Sequence, residues 1–480
     1  MVSVLIFILF LIFILATMCG LFKYKNRRIV PDYFEYYKTQ DSVPEGKVGI
    51  FVTGLIMPET HDDRFFYNIT KKIFSVIIPW PFRLLAQKDK GIALLDLIRH
   101  HEEEEFMPTQ LVDPFGNDCD VDGEPYIEKY KKGQVKWVPP SKQIYLDHGY
   151  FIYSERKGGM PSLAGKTINR SRLWYYGGLK QGKLPHWTES MKITKSVFAK
   201  LKEKYGNIAC CVENSLHYYE MKTKLYGLLD AGCETIVLSS PMIVYSHFEE
   251  FNSSFYHCFE YIHEWQCENS GKKVKVIIAP PMGHFQPMRQ AFLEMLKDRL
   301  DKLPAGADVT VAITVHGMPW DHFHWEAWLQ LAPPYRDKLA EEAGQLLGQY
   351  DFKRTQVLVC QDEFANPIWD HKEKYLSTNR VYHNAVKDGY DYIISLPIEY
   401  FAENSDTLHQ HAQENYEGFN AYNVYDDIDY PDWSVPYVSE IKEGKTALIY
   451  NGVPVGKYQP NVIKALFQSL DSVLSQGNQG

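Results

Sequence analysis

Between residues 187 and 397, amphipathic stretches and short apolar runs alternate with a regular rhythm, and this limits the fold more than any other feature. Helical periodicity over 190–205 precedes IACCV, that over 218–231 precedes TIVLSS, and that over 248–265 precedes VKVIIAP. The order repeats with 288–302 before VTVAITV, 335–349 before TQVLVCQ, and 379–387 before YIISLP. Continuously apolar strands separated by helices need a parallel sheet with helices on both faces. The expected class is therefore doubly wound α/β. DAGCETIVLSSPM (230–242) and KDGYDYIISLPIEY (387–400) share one grammar: helix end, glycine, β-rich run, proline. That echo predicts two Rossmann-like half-domains facing across a cleft.

The N-terminus carries a different signal. Residues 2–22, VSVLIFILFLIFILATMCGLF, hold no charge, and about 20 apolar residues span a bilayer as a helix. Lys23, Lys25, Arg27 and Arg28 come next, so the positive-inside tendency leaves the C-terminal bulk in the cytoplasm. A cleaved leader would want a basic start and a shorter core. The expectation is a single-pass membrane protein with its anchor at 1–22 and a basic juxtamembrane linker at 23–46. A first half-domain is expected at 47–310, with a polar insertion near 100–175. The second half-domain is expected at 311–470 and a tail at 471–480. The apolar stretch RFFYNITKKIFSVIIPWPFRLLAQ between 62 and 87, interrupted by Pro79 and Pro81, reads equally as an ordinary core helix or as a helix and loop that line a pocket or touch the bilayer. A net charge of −9 offers nucleic acid no basic face. Eight cysteines without a CxxC pair point to a reducing compartment, with no zinc ribbon and no iron–sulfur cluster.

Two segments carry candidate chemistry. VTVAITV ends on His316, and ligands of open α/β sheets bind at the carboxyl ends of strands. Gly317 permits close approach and Pro319 turns the chain away. His322 and His324 add an HxH pair with no third ligand nearby. The second segment, PIEYFAENSDTLHQHAQENY (397–416), read as a helix, stacks Asp406, Gln410 and Glu414 at steps of four. Such a polar track suits a hydrated cation or departing protons. Glu403 lies a turn earlier and reads equally as an acidic first turn favoured by the helix dipole.

Several of these segments resemble one family, in order along the chain. TVHGMP is similar to the ferrochelatase signature in which a strand ends in Ser-Ala-His-Gly/Ser-Leu-Pro. LVCQDEFANPIW resembles that family's Gln-containing segment ending in Trp, and YIISLPIEYFAENSDTL its strand followed by Ser-Asp-His-Ile-Glu-x-Leu. GGLKQG and APPYRDKLAEEA resemble its Gly-Gly…Lys-Gln-Gly opening and its Gly-Asp-Pro-Tyr segment. The resemblance covers roughly 47–90 and 175–470 and places the chain near the class II, ATP-independent tetrapyrrole metal chelatases.

The resemblance implies a membrane-anchored enzyme that inserts Fe²⁺ into protoporphyrin or coproporphyrin in haem biosynthesis. His316 would be the proton acceptor and metal ligand, and Asp406 its carboxylate opposite. Gln410 and Glu414 would continue the metal path, and Met318, Trp320, Trp369 and Tyr245 would grip the macrocycle. Fe²⁺ enters as substrate, and no organic cofactor and no iron–sulfur cluster are implied. The expected partners are a porphyrin, a divalent metal ion and the membrane, with no nucleic acid. Asp406 is shorter than the family's glutamate, Gln410 stands where another acid is usual, and Asn404 where a histidine is common. SSPMIVYSHFEEF also departs from the family's Tyr-Pro-Gln-Tyr-Ser loop. These departures keep open a chelatase for another metal or tetrapyrrole, and a non-catalytic haem or metal carrier of the same descent. A hydrolase using His316 as base lacks a GxSxG elbow.

Overall fold

The computed structural model describes residues 6–15, 33–60, 183–206, 208–269, 272–318, 325–361, 376–411 and 433–479, with short pieces between 62 and 72 and strands within 104–154. The chain divides into two compact units, residues 1–31 with 60–182, and residues 32–59 with 183–480.

In the first unit, residues 6–15 are helical and exposed. Among the described residues no helix is long and apolar enough to cross a membrane, and the rest of the expected 1–22 span lies outside them. The polar insertion contributes Glu104–Met107, Val135–Val138 and Tyr150–Ser154, an antiparallel sheet with the last strand in the middle.

The second unit carries the alternation. Its elements are α1 (Tyr33–Thr39), β1 (Val48–Gly54), α2 (His186–Tyr205), β2 (Ala209–Asn214), α3 (Tyr218–Asp230) and β3 (Thr235–Ser239). A π-helix (His247–Ser254) runs into α4 (Phe255–Glu268), followed by β4 (Lys275–Ile278) and α5 (Gln286–Leu300). Then come β5 (Asp308–Val315), α6 (Trp328–Leu331), α7 (Pro333–Leu347), β6 (Arg354–Gln361), β7 (Leu376–Ser377), α8 (Thr378–Lys387) and β8 (Tyr392–Pro397). A second π-helix (Asp406–His411) precedes the hairpin β9 (Ser439–Glu443) and β10 (Thr446–Tyr450), and α9 (Gln459–Leu474) completes the unit.

The strands form two sheets. One is parallel throughout, in the order β2-β1-β3-β4. The other runs β7-β6-β5-β8-β10-β9 and is parallel except for its β9–β10 edge. Every residue of β3 and β5 is buried, so both faces of each sheet are covered at these strands. The echoed segments become β3 and β8, which hold interior positions in their own sheets. Each comes after a glycine in the left-handed region, Gly232 at φ 82° and Gly389 at φ 70°, where the chain leaves a helix and reverses. The change of sheet falls between α5 and Asp308, slightly before the expected 310/311 division, because β5 belongs whole to the second sheet.

The C-terminal hairpin and α9 were not legible in the helix–strand rhythm. The hairpin adds the only antiparallel pair to its sheet among the described residues, and α9 packs against α2 and α5. Two glycines seat residues 434–437 on the chain leading into α9. Gly452 (φ 73°) lies where a Cβ would stand 2.4 Å from the Tyr437 carbonyl. Gly456 (φ 60°) lies where a Cβ would stand 1.8 Å from that of Ser434. Gly456→Ala is expected to destabilise the unit by about 2 kcal/mol or more, through left-handed strain and this backbone collision. A urea midpoint equal to that of the parent protein would contradict this.

Candidate active site

His316 is the first residue beyond β5. Its peptide N–H donates to Oε2 of Glu399 at 2.9 Å, which ties the end of β5 to the end of β8. Its Nδ1–H donates to the Gly317 carbonyl at 2.5 Å. A carbonyl only accepts, so the neutral ring carries its proton on Nδ1 and its lone pair on Nε2. The ring lies against Tyr400, with centroids 6.0 Å apart.

Asp406 arrives from β8. Residues 398–405 are all buried, and Asn404 then caps the next turn. Its Oδ1 accepts the peptide N–H of Asp406 at 2.8 Å and that of Thr407 at 3.1 Å, while its own N–H donates to the Thr407 hydroxyl. Asn404 thus works as a helix cap, which explains an amide at this position. The helix it starts is π over Asp406–His411, where an α-helix was expected. Gln410 belongs to this turn, while Glu414, Trp320, Trp369, His322 and His324 lie outside the described residues.

His316 and Asp406 line the same cavity of about 30 Å³. The segments leaving four strands of both sheets supply its walls: Leu55 and Met57 after β1, Met242 and Val244 after β3, Met318 after β5, and Glu399, Tyr400 and Asn404 after β8. The volume matches roughly one water molecule. Three further polar side chains line it, and none was singled out from sequence.

His186, the first residue of α2, is fully enclosed, and burial pulls its pKa down to about 3. Its Nδ1 accepts the peptide N–H of Met57 at 3.1 Å. The ring is therefore neutral with its proton on Nε2, the tautomer opposite to that of His316. Glu249 projects from the first π-helix, whose start Ser246 caps by accepting the Glu249 N–H at 2.9 Å. It is buried, and among the described residues no hydrogen bond or ion pair engages its carboxylate. Glu399 holds the His316 peptide through Oε2 and the Trp328 indole N–H through Oε1 at 2.9 Å. Burial pushes it up to about 7, against the lowering pull of His316, its two donors and Arg336.

Sequence could have flagged Glu399, a carboxylate two residues beyond a strand end. Glu249 looks like an ordinary acidic first turn, and the partner that fixes His186 is 129 residues away in the chain. Two other residues considered from sequence lie elsewhere. Tyr245 does not line the cavity; its ring packs edge-on against Phe251 and Phe255, and its hydroxyl accepts the Ser240 N–H. Met242 and Val244 face the cavity in its place. Glu403 turns away as well, with Oε2 accepting the Tyr450 hydroxyl at 2.9 Å and burial pushing it up to about 7. Met318 also lines the cavity. Among the described residues no three His, Cys, Asp or Glu side chains gather into a ready metal cage.

No protein-family model matches the sequence, and no curated protein matches it. Among solved structures, the chain is similar to SirB from Bacillus subtilis with Fe3+, at 12% identity and TM-score 0.37 over 61% of this chain and 92% of that one. It is similar to the TorS sensor domain–TorT complex in the absence of ligand, at 10% identity and TM-score 0.26 over 62% and 86%. A periplasmic solute-binding protein of an ABC transporter from Actinobacillus succinogenes 130z with bound D-allose gives 10% and 0.24 over 60% and 88%. Likenesses at this level bear on neither family nor activity.

Proposed function

We propose that this chain is a metal chelatase that exchanges a divalent cation, Fe²⁺ foremost, for the two pyrrole protons of a porphyrin. The observation that carries the reading is the meeting of His316 and Asp406 in one cavity at the carboxyl ends of parallel strands. The resemblance of TVHGMP and its companion segments to ferrochelatases supplies the reaction. Insertion needs a base for protons that leave as the cation enters, and the Nε2 lone pair of a neutral His316 suits that task near neutral pH. Asp406 and Glu249 offer anionic oxygens that favour a dication and replace part of its water. His186, held as a neutral donor, orients an acceptor without competing for the metal. A macrocycle needs a pocket of several hundred Å³, so the cavity of about 30 Å³ takes the metal while the ring lies against its mouth. Haem synthesis as the pathway and a membrane location belong to the same proposal.

The small cavity also favours a second reading, a carrier that holds the metal ion and releases it unchanged. One assay separates the two: the protein is mixed anaerobically with Fe²⁺ and protoporphyrin or coproporphyrin, and metalloporphyrin absorbance is followed. The chelatase turns over repeatedly, and Asp406→Ala slows it by about tenfold to a hundredfold while porphyrin binding persists. Metal binding without product in the parent protein would replace the chelatase with the carrier.

A further inference from the structure

A second cleft, built from residues the proposed activity does not use, lies beside the last turn of α5. We propose that it binds a small organic anion, a carboxylate or phosphate head on an apolar body. The cleft measures about 550 Å³ and shares Asp298, Lys302, Val435, Pro436 and Tyr458 with a smaller recess of about 200 Å³, which adds Arg299 and Asn451. Volumes of this order suit small ligands.

The charges around it are unequally committed. Asp298 pairs with Lys457 and accepts the Tyr458 hydroxyl, and Asp301 pairs with Lys297 at 2.7 Å and accepts the Tyr350 hydroxyl. Both carboxyls are held below their usual range by those partners. Arg299 and Lys302 have no such partner: among the described residues neither forms an ion pair. The Arg299 guanidinium is half-buried and spends only Nε, on the neutral Asn451 Oδ1 at 3.0 Å, while Glu440 acts on it from beyond ion-pair range. A half-buried guanidinium with its fork of terminal N–H groups uncommitted is a waiting partner for a carboxylate or phosphate.

The opposite lip is apolar. Val435 and Val438 are 56% and 39% exposed, more than isolated burial logic would leave beside two cations. The lip is also fixed in place, because Gly452 and Gly456 let residues 434–437 lie directly on the backbone entering α9. A ligand that places its charge on Arg299 and Lys302 and its apolar body on Val435 and Pro436 satisfies both walls. Neither a bare anion nor a neutral apolar molecule does so.

The test uses the full chain and four probes in ligand-detected saturation-transfer NMR: cyclohexanecarboxylate, cyclohexyl phosphate, cyclohexanemethanol and inorganic phosphate. At least one organic anion is expected to bind with Kd near or below about 1 mM, and its head group names the preferred class. The neutral alcohol and inorganic phosphate are each expected to bind at least about tenfold more weakly. Arg299→Met and Val435→Asp should each weaken binding by about tenfold or more. Val435 is exposed, so its variant keeps the fold, and a thermal midpoint checks both. Equal binding of alcohol and acid, equal binding of bare phosphate and its ester, no binding of either organic anion, or indifference to both substitutions would overturn the proposal.

Discussion

His316→Ala is expected to lower the rate of metal insertion by at least about a hundredfold, with porphyrin affinity changed severalfold at most. The size of the effect comes from the chemistry the side chain supplies. In the neutral ring Nδ1 donates to the Gly317 carbonyl, so the lone pair that the proposed reaction would use sits on Nε2. Among the described residues lining the cavity, the other imidazole, His186, cannot replace it, because it spends its Nδ1 lone pair on the Met57 peptide and carries its proton on Nε2. The substitution should leave the scaffold standing. Glu399 holds residue 316 through the peptide N–H, a contact alanine keeps. Insertion followed by absorbance, with added imidazole as a rescue arm, reads the result. A variant that turns over within about threefold of the parent would sink the assignment of His316 as the base.

The second large effect is on stability. Glu399 and Glu403 both have an ordinary pKa of 4.5 raised to about 7 by burial. For a carboxyl raised in the folded state, the native protein binds more protons than the unfolded chain between those two values. Its contribution is therefore complete below about 4.5 and is lost as pH rises through 7. Between pH 8 and pH 6 each group should add roughly 1–2 kcal/mol to the free energy of unfolding. His186 works the other way. Its folded value of about 3 against an ordinary 6.5 costs stability as pH falls below 6.5, and in this window that loss is about 1 kcal/mol or less. The net expectation is a protein more stable at pH 6 than at pH 8. Glu403→Gln should remove about half of the carboxyl-driven rise, since the amide oxygen still accepts the Tyr450 hydroxyl. Urea denaturation at the two pH values decides it. Greater stability at pH 8 would contradict protonated glutamates in the fold, and a rise untouched by Glu403→Gln would exclude Glu403 as one of its sources.

Local pattern determined the strands and their ends. Buried parallel strands need uninterrupted apolar runs, and VTVAITV and YIISLP became the adjacent interior strands β5 and β8 at the registers their lengths allowed. The glycines of the echoed segments forecast the same reversal twice, because only glycine takes φ near +70° to +80° without strain. His316 was legible for the same reason: a strand end is a local feature, and the residues just beyond it face the ligand side of such a sheet. The steps of four from Asp406 assume an α-helix, and the structure has a π turn there. A π turn is recognised from the backbone, here from the Asn404 cap and the wide turn it opens.

Tertiary structure decided the rest, since it depends on residues that are distant in the chain. Glu249, Glu399 and His186 resemble an acidic helix start, a loop carboxylate and a helix-entry histidine until four segments close around one cavity. Only then does burial raise Glu399 to about 7, and only then does the Met57 peptide choose the tautomer of His186. Tyr245 was lost to the core by the same closure. Strand and helix periods are written in nearest neighbours, so the sequence alone carried the architecture and the place of His316. Protonation state, tautomer and which carboxylates share a cavity are set by desolvation and by partners in space, and those exist only once the chain is folded.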